Sequence, residues 1–393
     1  MLISISLILL TSLILGELFQ RISLPSLLGM VVTGILLGPN LLNWISPEIL
    51  NISGDLREIA LIIILLRAGL ALDLKDLRKI GKPALLMAFL PATFEIIAIT
   101  FFAPLFFDIS YLEAALMGAV ITAVSPAVIV PKMLKLIDEG YGRKKKIPQL
   151  IMAGASVDDI LVIVVFTALM GMVSGEGFNT IHLAAVPISV ISGLLLGVVF
   201  GVVVVAIFKK IHIRDTKKVI VILSASFVFL AIEDALVSIV PISGLLAVMA
   251  LGITILKQYP KLASRLSSKF SKIWVGAEMF LFVLVGATVN LTFAVSAGFA
   301  AIFLILIGLI FRTIAVNICL IGTNLNFGER IFSSLAYLPK ATVQAAIGAI
   351  PLYAGIASGN LILTLAVTAI IITAPLGALG MDLTYKKLLK LNN

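Results

Sequence analysis

This chain has little that is charged and almost nothing suited to holding a metal or closing a disulfide. Of its 393 residues only 12% are Asp, Glu, Lys or Arg, two are histidine and one is cysteine. A lone Cys319 excludes an intrachain disulfide, and no cluster of Cys and His has metal-ligand spacing. His182 and His212 stand at the ends of apolar runs, where solvated loop positions are expected. No phosphate-cradling glycine loop with its lysine is present, which argues against direct use of ATP, and no resident cofactor is expected. The first twenty residues lack a basic start and a small-residue cleavage site, so they read as a retained helix.

What is present in quantity is apolar surface. At 61% hydrophobic residues the chain cannot hide that surface in one soluble core, and the class is an all-α polytopic membrane protein. Apolar segments fall near 2–20, 25–42, 56–72, 83–107, 112–135, 147–174, 183–208, 218–237, 239–256, 273–290, 292–322, 328–353 and 361–381, which predicts about thirteen transmembrane helices. The stretch from Tyr259 to Ser271 reads as a basic amphipathic helix at the membrane surface. A net charge of +9 is compatible with nucleic-acid binding, but the placement of the basic residues excludes that partner. Of the 29 Lys and Arg, 25 sit at connections on one side, and the opposite connections carry only Arg57. Cytoplasmic loops keep basic residues, so the N-terminus is placed outside and the C-terminus in the cytoplasm, in what reads as a prokaryotic inner membrane. Runs such as Arg143-Lys-Lys-Lys146 are then topology signals facing anionic lipid.

Three bases, Arg67, Arg312 and Lys340, remain inside apolar segments, as do Glu95, Asp158 and Asp159. A carboxylate at mid-bilayer costs about 2.5–3.5 kcal/mol on insertion scales, so the adjacent Asp158 and Asp159 are the first candidates for an ion or proton pathway. Prolines interrupt two of the segments, at Ser125-Pro126 with Pro131 and at Leu338-Pro339-Lys340. Backbone groups freed by such breaks survive at membrane depth only when buried in protein or lining a watery cavity. The two broken segments are seven apart, and helices an odd number apart run in opposite directions. They are therefore read as equivalents in inverted repeats, as two discontinuous helices that cross at a transport site. Segments four to six and eleven to thirteen become matching trios that hold Glu95, Asp158, Asp159, Arg312 and Lys340. Three acids face two bases there, so one carboxylate must take up a proton or a small cation. For Thr122, Ser125 and Ser156, ligation of a dehydrated cation stands beside ordinary hydroxyl bonding within the same helix. Arg67 has Glu17 or Glu278 as candidate neutralising partners, and Glu233 and Asp234 are read as solvated ends of a helix.

The stretches Leu66-Arg67-Ala-Gly-Leu70, Val124-Ser-Pro-Ala-Val128 with Pro131, Gly140-Tyr-Gly142, Ser156-Val-Asp158-Asp159 and Leu338-Pro-Lys340-Ala-Thr-Val-Gln344-Ala-Ala together resemble a known family. It is that of the sodium/proton antiporters in the monovalent cation/proton antiporter superfamily, closest to the NHA-type, solute carrier family 9 subfamily B branch. The resemblance implies the NapA/NhaA-like fold, a homodimer of single antiporter units spanning 1–393, and elevator-like alternating access. It places the core domain at about 83–174 and 292–381, the dimerisation domain at about 1–72 and 218–290, and a linker helix at 183–208. Asp159 is implied to carry the cation and the proton, with Na+ held at Asp159 and Asp158. Arg312 stands where electrogenic relatives have lysine; Glu95 is its implied partner, and Lys340 that of Asp158. An arginine keeps its proton at physiological pH, so Arg312 is a permanent partner and a poor proton carrier.

Other functions fit less well. An intramembrane aspartyl protease needs two carboxylates converging on one water, whereas adjacent residues on a helix diverge by about 100°. A potassium/proton antiporter is the stronger alternative, because those relatives commonly have Gln-Asp in place of Asp158-Asp159. The transported monovalent cation is thus Na+ or Li+ first and K+ second, and no enzyme activity is expected. Charge asymmetry predicts that a reporter fused after Asn393 is cytoplasmic and that tags between Glu48 and Asp55 are external; an external reporter after Asn393 would overturn the inverted repeat.

Overall fold

The computed structural model describes residues 1–71, 81–174, 180–211, 213–236, 242–289 and 291–391, with only the backbone at Ser156, Ile160, 180–187, Asp234 and 291–297. His212 and the side chains of His182 and Ser156 lie outside the described residues. Among those residues the regular elements are all helices, joined by turns and short extended stretches, with one isolated bridge between Tyr141 and Leu391. Eight helical stretches, among them Lys82–Phe106, Ile147–Ser174 and Gly359–Leu388, are long and apolar enough to cross a membrane by length and composition. Their outer faces carry bare Phe101, Leu105 and Val199, as lipid-facing surfaces do.

Two compact units divide the chain. The first comprises Met1–Gly54, Asp73–Val162 and Met279–Asn393. Close backbone approach organises it. A Cβ on Gly34 would stand 1.9 Å from the Val283 carbonyl oxygen, and one on Gly286 2.2 Å from that of Val31, so two helices cross with their backbones in contact. The helix Lys82–Phe106 packs on Leu291–Cys319 and on Tyr111–Thr122. Lys132 reaches Asp382 at 2.5 Å and Lys145 reaches Glu329 at 2.7 Å, tying one end of this unit with ion pairs.

The second unit comprises Asp55–Leu72 and Ile163–Glu278. Thr180–Lys210 packs on Gly244–Gln258 through Gly193, Gly197 and Gly201, where added Cβ atoms would lie 2.2–2.7 Å from Ser243, Ala247 and Thr254. That is the four-residue small-side-chain spacing of membrane helix pairs.

Several expectations need correction. Tyr259–Ser271 is not a separate surface helix: nothing in its sequence breaks the backbone ladder, and it opens the continuous helix Pro260–Thr288. Arg57 is no loop residue but lies inside Ser53–Ala71, only 3% exposed. Of the two acids offered to Arg67, Glu278 is the charge that acts on it, while Glu17 pairs with Arg21 at 3.6 Å. Glu233 is not simply solvated, since its carboxylate accepts the Gly244 N–H at 2.8 Å and so caps the helix Gly244–Gln258.

The crossing at Gly34 has no room for a methyl. Gly34→Ala should destabilise the protein by about 1–3 kcal/mol, read as a lower unfolding midpoint in detergent, whereas Gly54→Ala, with open space around it, should leave the midpoint in place.

Candidate functional site

Two prolines decide where the polar core lies. Pro126 has no N–H to return to the Thr122 carbonyl, and it disfavours helical backbone at Ser125, which sits at φ −90°, ψ 107°. The helix Tyr111–Thr122 therefore ends, and Pro126 restarts the chain as the first residue of Pro126–Glu139. Around Pro339 the same happens between Phe327–Ala336 and Thr342–Ile347. The two expected breaks are present and they meet, for the Ser125 N–H donates to the Pro339 carbonyl at 2.8 Å.

Several backbone groups freed in the first break have partners from other elements. The Thr122 carbonyl, deprived of its helix donor by Pro126, accepts from Arg312 Nη2 and from Lys340 Nζ, the latter at 3.1 Å. The next peptide is held from both sides: the Ala123 carbonyl accepts Gln344 Nε2 at 2.7 Å, and the Val124 N–H donates to Asp158 Oδ2 at 2.8 Å. In the second break, the Lys340 N–H donates to Thr373 Oγ1 at 2.9 Å. Two cations at the C-terminal end of a half-helix also complement its dipole.

The charges are arranged asymmetrically. Glu95 receives both bases, Arg312 Nε at 2.5 Å and Lys340 Nζ at 2.7 Å, and all three side chains are at most 1% exposed. The Glu95–Arg312 pair is thus present. The Lys340–Asp158 pair is not: the lysine leaves from an extended stretch, where no helical register directs it to the acid pair, and it turns to Glu95. Asp158 is fully buried and lies near the charges of Arg312, Lys340 and Glu95, whereas Asp159 has the charge of Asp158 beside it and makes no ion pair among the described residues. Asp159 is 7% exposed.

Four oxygens around these groups, Thr122 Oγ1, Asp158 Oδ1, Asp159 Oδ1 and Gln344 Oε1, are buried without a hydrogen-bond partner among the described residues. Hard monovalent and divalent cations take such oxygens. Thr122 and Ser125 do not bond back into their own helices; the Ser125 hydroxyl lies 3.5 Å from that of Thr342. Gln344 and Tyr337 are residues that the sequence reading did not single out. The phenol of Tyr337 is buried, lacks a partner, and occupies the space where Gly154 has no side chain. An aromatic beside a proline break carries no periodic signal, so its pointing toward the acid pair is visible only in three dimensions.

The transmembrane sodium/hydrogen exchanger family model matches residues 6–384. The chain is similar to sodium/hydrogen exchanger 9B2 of Mus musculus, 33% identical over 396 residues that cover 95% of this chain and 71% of that protein. It is similar also to exchanger 9B1 of Homo sapiens, 32% identical over 390 residues covering 93% and 73%. Its fold is similar to that of the sodium proton antiporter MjNhaP1 from Methanocaldococcus jannaschii, with a TM-score of 0.83 at 19% identity over 98% and 97% of the two chains. Placement in a prokaryotic membrane is not borne out by the mouse and human relatives; what stands is an integral, multi-pass membrane protein.

Because Glu95 holds two cations, its loss orphans both, while loss of Arg312 leaves Glu95 paired with Lys340. Glu95→Gln should therefore cost more stability than Arg312→Gln, on the order of 3–5 kcal/mol for the former, in thermal unfolding in detergent. A double variant no better than the sum of the singles would refute the coupling.

Proposed function

Because the chain belongs to the sodium/hydrogen exchanger family, we propose that it exchanges Na+ or Li+ for H+ with Asp159 as the carrier carboxylate. The observation that carries this reading is the charge arrangement. Glu95, Arg312 and Lys340 leave one positive charge, Asp158 balances it, and Asp159 is left without a charged partner among the described residues. A buried anion of that kind is stable only with a proton or a cation on it, and competition of the two for one carboxylate is exchange. Asp158, Thr122 and Ser125, with Ser156 and the amide oxygen of Gln344, complete an all-oxygen ligand set for the cation.

The domain assignment belongs to the same proposal. Residues of about 83–174 and 292–381 act as the moving core, 1–72 and 218–290 as the dimerisation domain and 183–208 as the linker, in a homodimer working by an elevator-like cycle. Crossing broken helices supply the reason for moving the core as a body, since their exposed backbone groups stay satisfied only while the two breaks travel together. The Asp158-Asp159 pair supports Na+ or Li+ over K+.

In proteoliposomes containing a pH-sensitive dye, with the membrane potential clamped, Na+ and Li+ pulses should drive proton flux that K+ does not. Asp159→Asn should reduce it to background, because an amide neither releases a proton nor balances a cation. Asp158→Asn, which removes the neighbouring charge but keeps an oxygen able to accept the Val124 N–H, should retain reduced exchange. Full sodium-driven flux in Asp159→Asn protein would remove Asp159 from the carrier role.

A further inference from the structure

The stretch Gly140-Tyr141-Gly142 has no part in the charge arrangement, yet it closes the far end of the first broken helix. The half-helix Pro126–Glu139 inherits no direction from Tyr111–Thr122, because Ser125 between them is extended. Contacts at its two ends must aim it. At the near end the Ser125 N–H is tied to the Pro339 carbonyl. Toward the far end, about 20 Å along at 1.5 Å per residue, it is joined to the helix Gly359–Leu388 and the residues just past it. Lys132 pairs with Asp382 at 2.5 Å, and the Tyr385 hydroxyl donates to Glu139 Oε2 at 3.0 Å. The rings of Tyr141 and Tyr385 meet edge to face with centroids 5.0 Å apart. Gly140 turns the chain at φ 83°, the left-handed cap that glycine allows, and the Gly142 N–H donates to the Lys390 carbonyl at 3.0 Å. Tyr141 and Leu391 are thereby opposed in an antiparallel bridge. Nearer its middle, the same helix Gly359–Leu388 holds the second break, through Thr373 Oγ1 on the Lys340 N–H and Gly377 under the ring of Pro339. Both breaks are thus referred to one rod.

Resting on the exchange reading above, we propose that these contacts form a clasp that stays closed through the transport cycle, with Tyr385 as a positioning residue for the cation site. By fixing Pro126–Glu139 against Gly359–Leu388, the clasp holds Ser125 and Val124 in place, and through the Val124 N–H it holds the carboxylate of Asp158. A half-helix pinned at both ends neither rotates nor slides against the second break. Its partners all lie in one compact unit, and opening it would break an ion pair, a hydroxyl–carboxylate bond, a ring contact and a backbone bond together. A gate that opens to pass the cation makes the opposite prediction.

A disulfide across the bridge separates the two. Opposed residues of an antiparallel pair have Cα atoms about 4.5–5.5 Å apart, a span that a disulfide accepts, and the native Cys319 is buried. In protein carrying Tyr141→Cys and Leu391→Cys, sodium-driven proton flux in proteoliposomes should be equal in the oxidised and reduced forms. Flux lost on oxidation and regained with reductant would overturn the closed clasp, and failure of the two cysteines to join would refute the contact. Comparing two redox states of one protein removes any cost of the substitutions themselves. For the positioning role, Tyr385→Phe keeps the ring on Tyr141 but removes the hydroxyl. It should raise the half-maximal sodium concentration by at least about twofold, the lower end of coupling carried by such networks, with the maximal rate changed by less. Glu139→Gln, whose amide oxygen still accepts the hydroxyl, should leave that concentration in place. A merely structural role would reduce the amount of active protein and so the maximal rate alone; an unchanged half-maximal concentration in Tyr385→Phe overturns the positioning role. Asp159→Asn run alongside keeps the failures apart. Background flux there beside active wild type upholds the exchange reading whichever way the clasp variants fall, whereas full flux there removes that reading and leaves the disulfide comparison to decide whether the clasp opens.

Discussion

The carbonyl of Thr122 has lost its helical donor to Pro126 and carries two cations in its place, and the rest of the polar core is arranged around that substitution. At membrane depth an unsatisfied carbonyl costs several kcal/mol, so the break requires donors from elsewhere in the protein. Arg312 and Lys340 supply them from two other elements. Both are cations, so they in turn require an anion, and Glu95 is placed to take both. A backbone defect is thus converted into a charge constellation. That constellation carries a net positive charge.

Glycines make the arrangement possible where polar groups must lie against a helix. Gly308, one turn before Arg312, would place a Cβ 3.0 Å from Glu95 Oε1, so the acid nests on the helix that carries its partner. Gly377 leaves space for the ring of Pro339, which would meet a Cβ at 2.3 Å, and so fixes the second break against Gly359–Leu388. Gly154 does the same for Tyr337. In each case a missing side chain on one helix receives a polar or proline element from another, and small residues at membrane helix contacts permit that approach.

Much of this was legible in the sequence because its signals are local. Prolines at 126 and 339 mark breaks by stereochemistry, and an acid pair in an apolar run is conspicuous by cost alone. The sum of buried charges likewise follows from counting. What the sequence withheld were choices among partners. The resemblance implied Lys340 as the partner of Asp158, but the residue sits on non-helical backbone, where spacing does not say which way a long side chain runs. Glu233 looked like a solvated helix end because its acceptor role depends on a helix that begins eleven residues later. The basic stretch after Tyr259 has an amphipathic pattern, and pattern alone does not distinguish a separate surface helix from the first turns of a longer one.

Adjacency of the two acids then gives them different work. Neighbouring residues on a helix point about 100° apart, so Asp158 and Asp159 cannot share one environment. Asp158 is fully buried and held by the Val124 N–H, which ties it to the break; Asp159 keeps slight exposure and has no cationic partner among the described residues. On the proposed reading, one acid is therefore anchored to the break and the other is the one that changes its ligand. Arginine at 312 reinforces the division, because a base that never releases its proton holds Glu95 and the Thr122 carbonyl in the same state throughout a cycle. On the proposed exchange reading the proton is left to Asp159, which has no cationic partner among the described residues, while Asp158 serves as a fixed oxygen ligand.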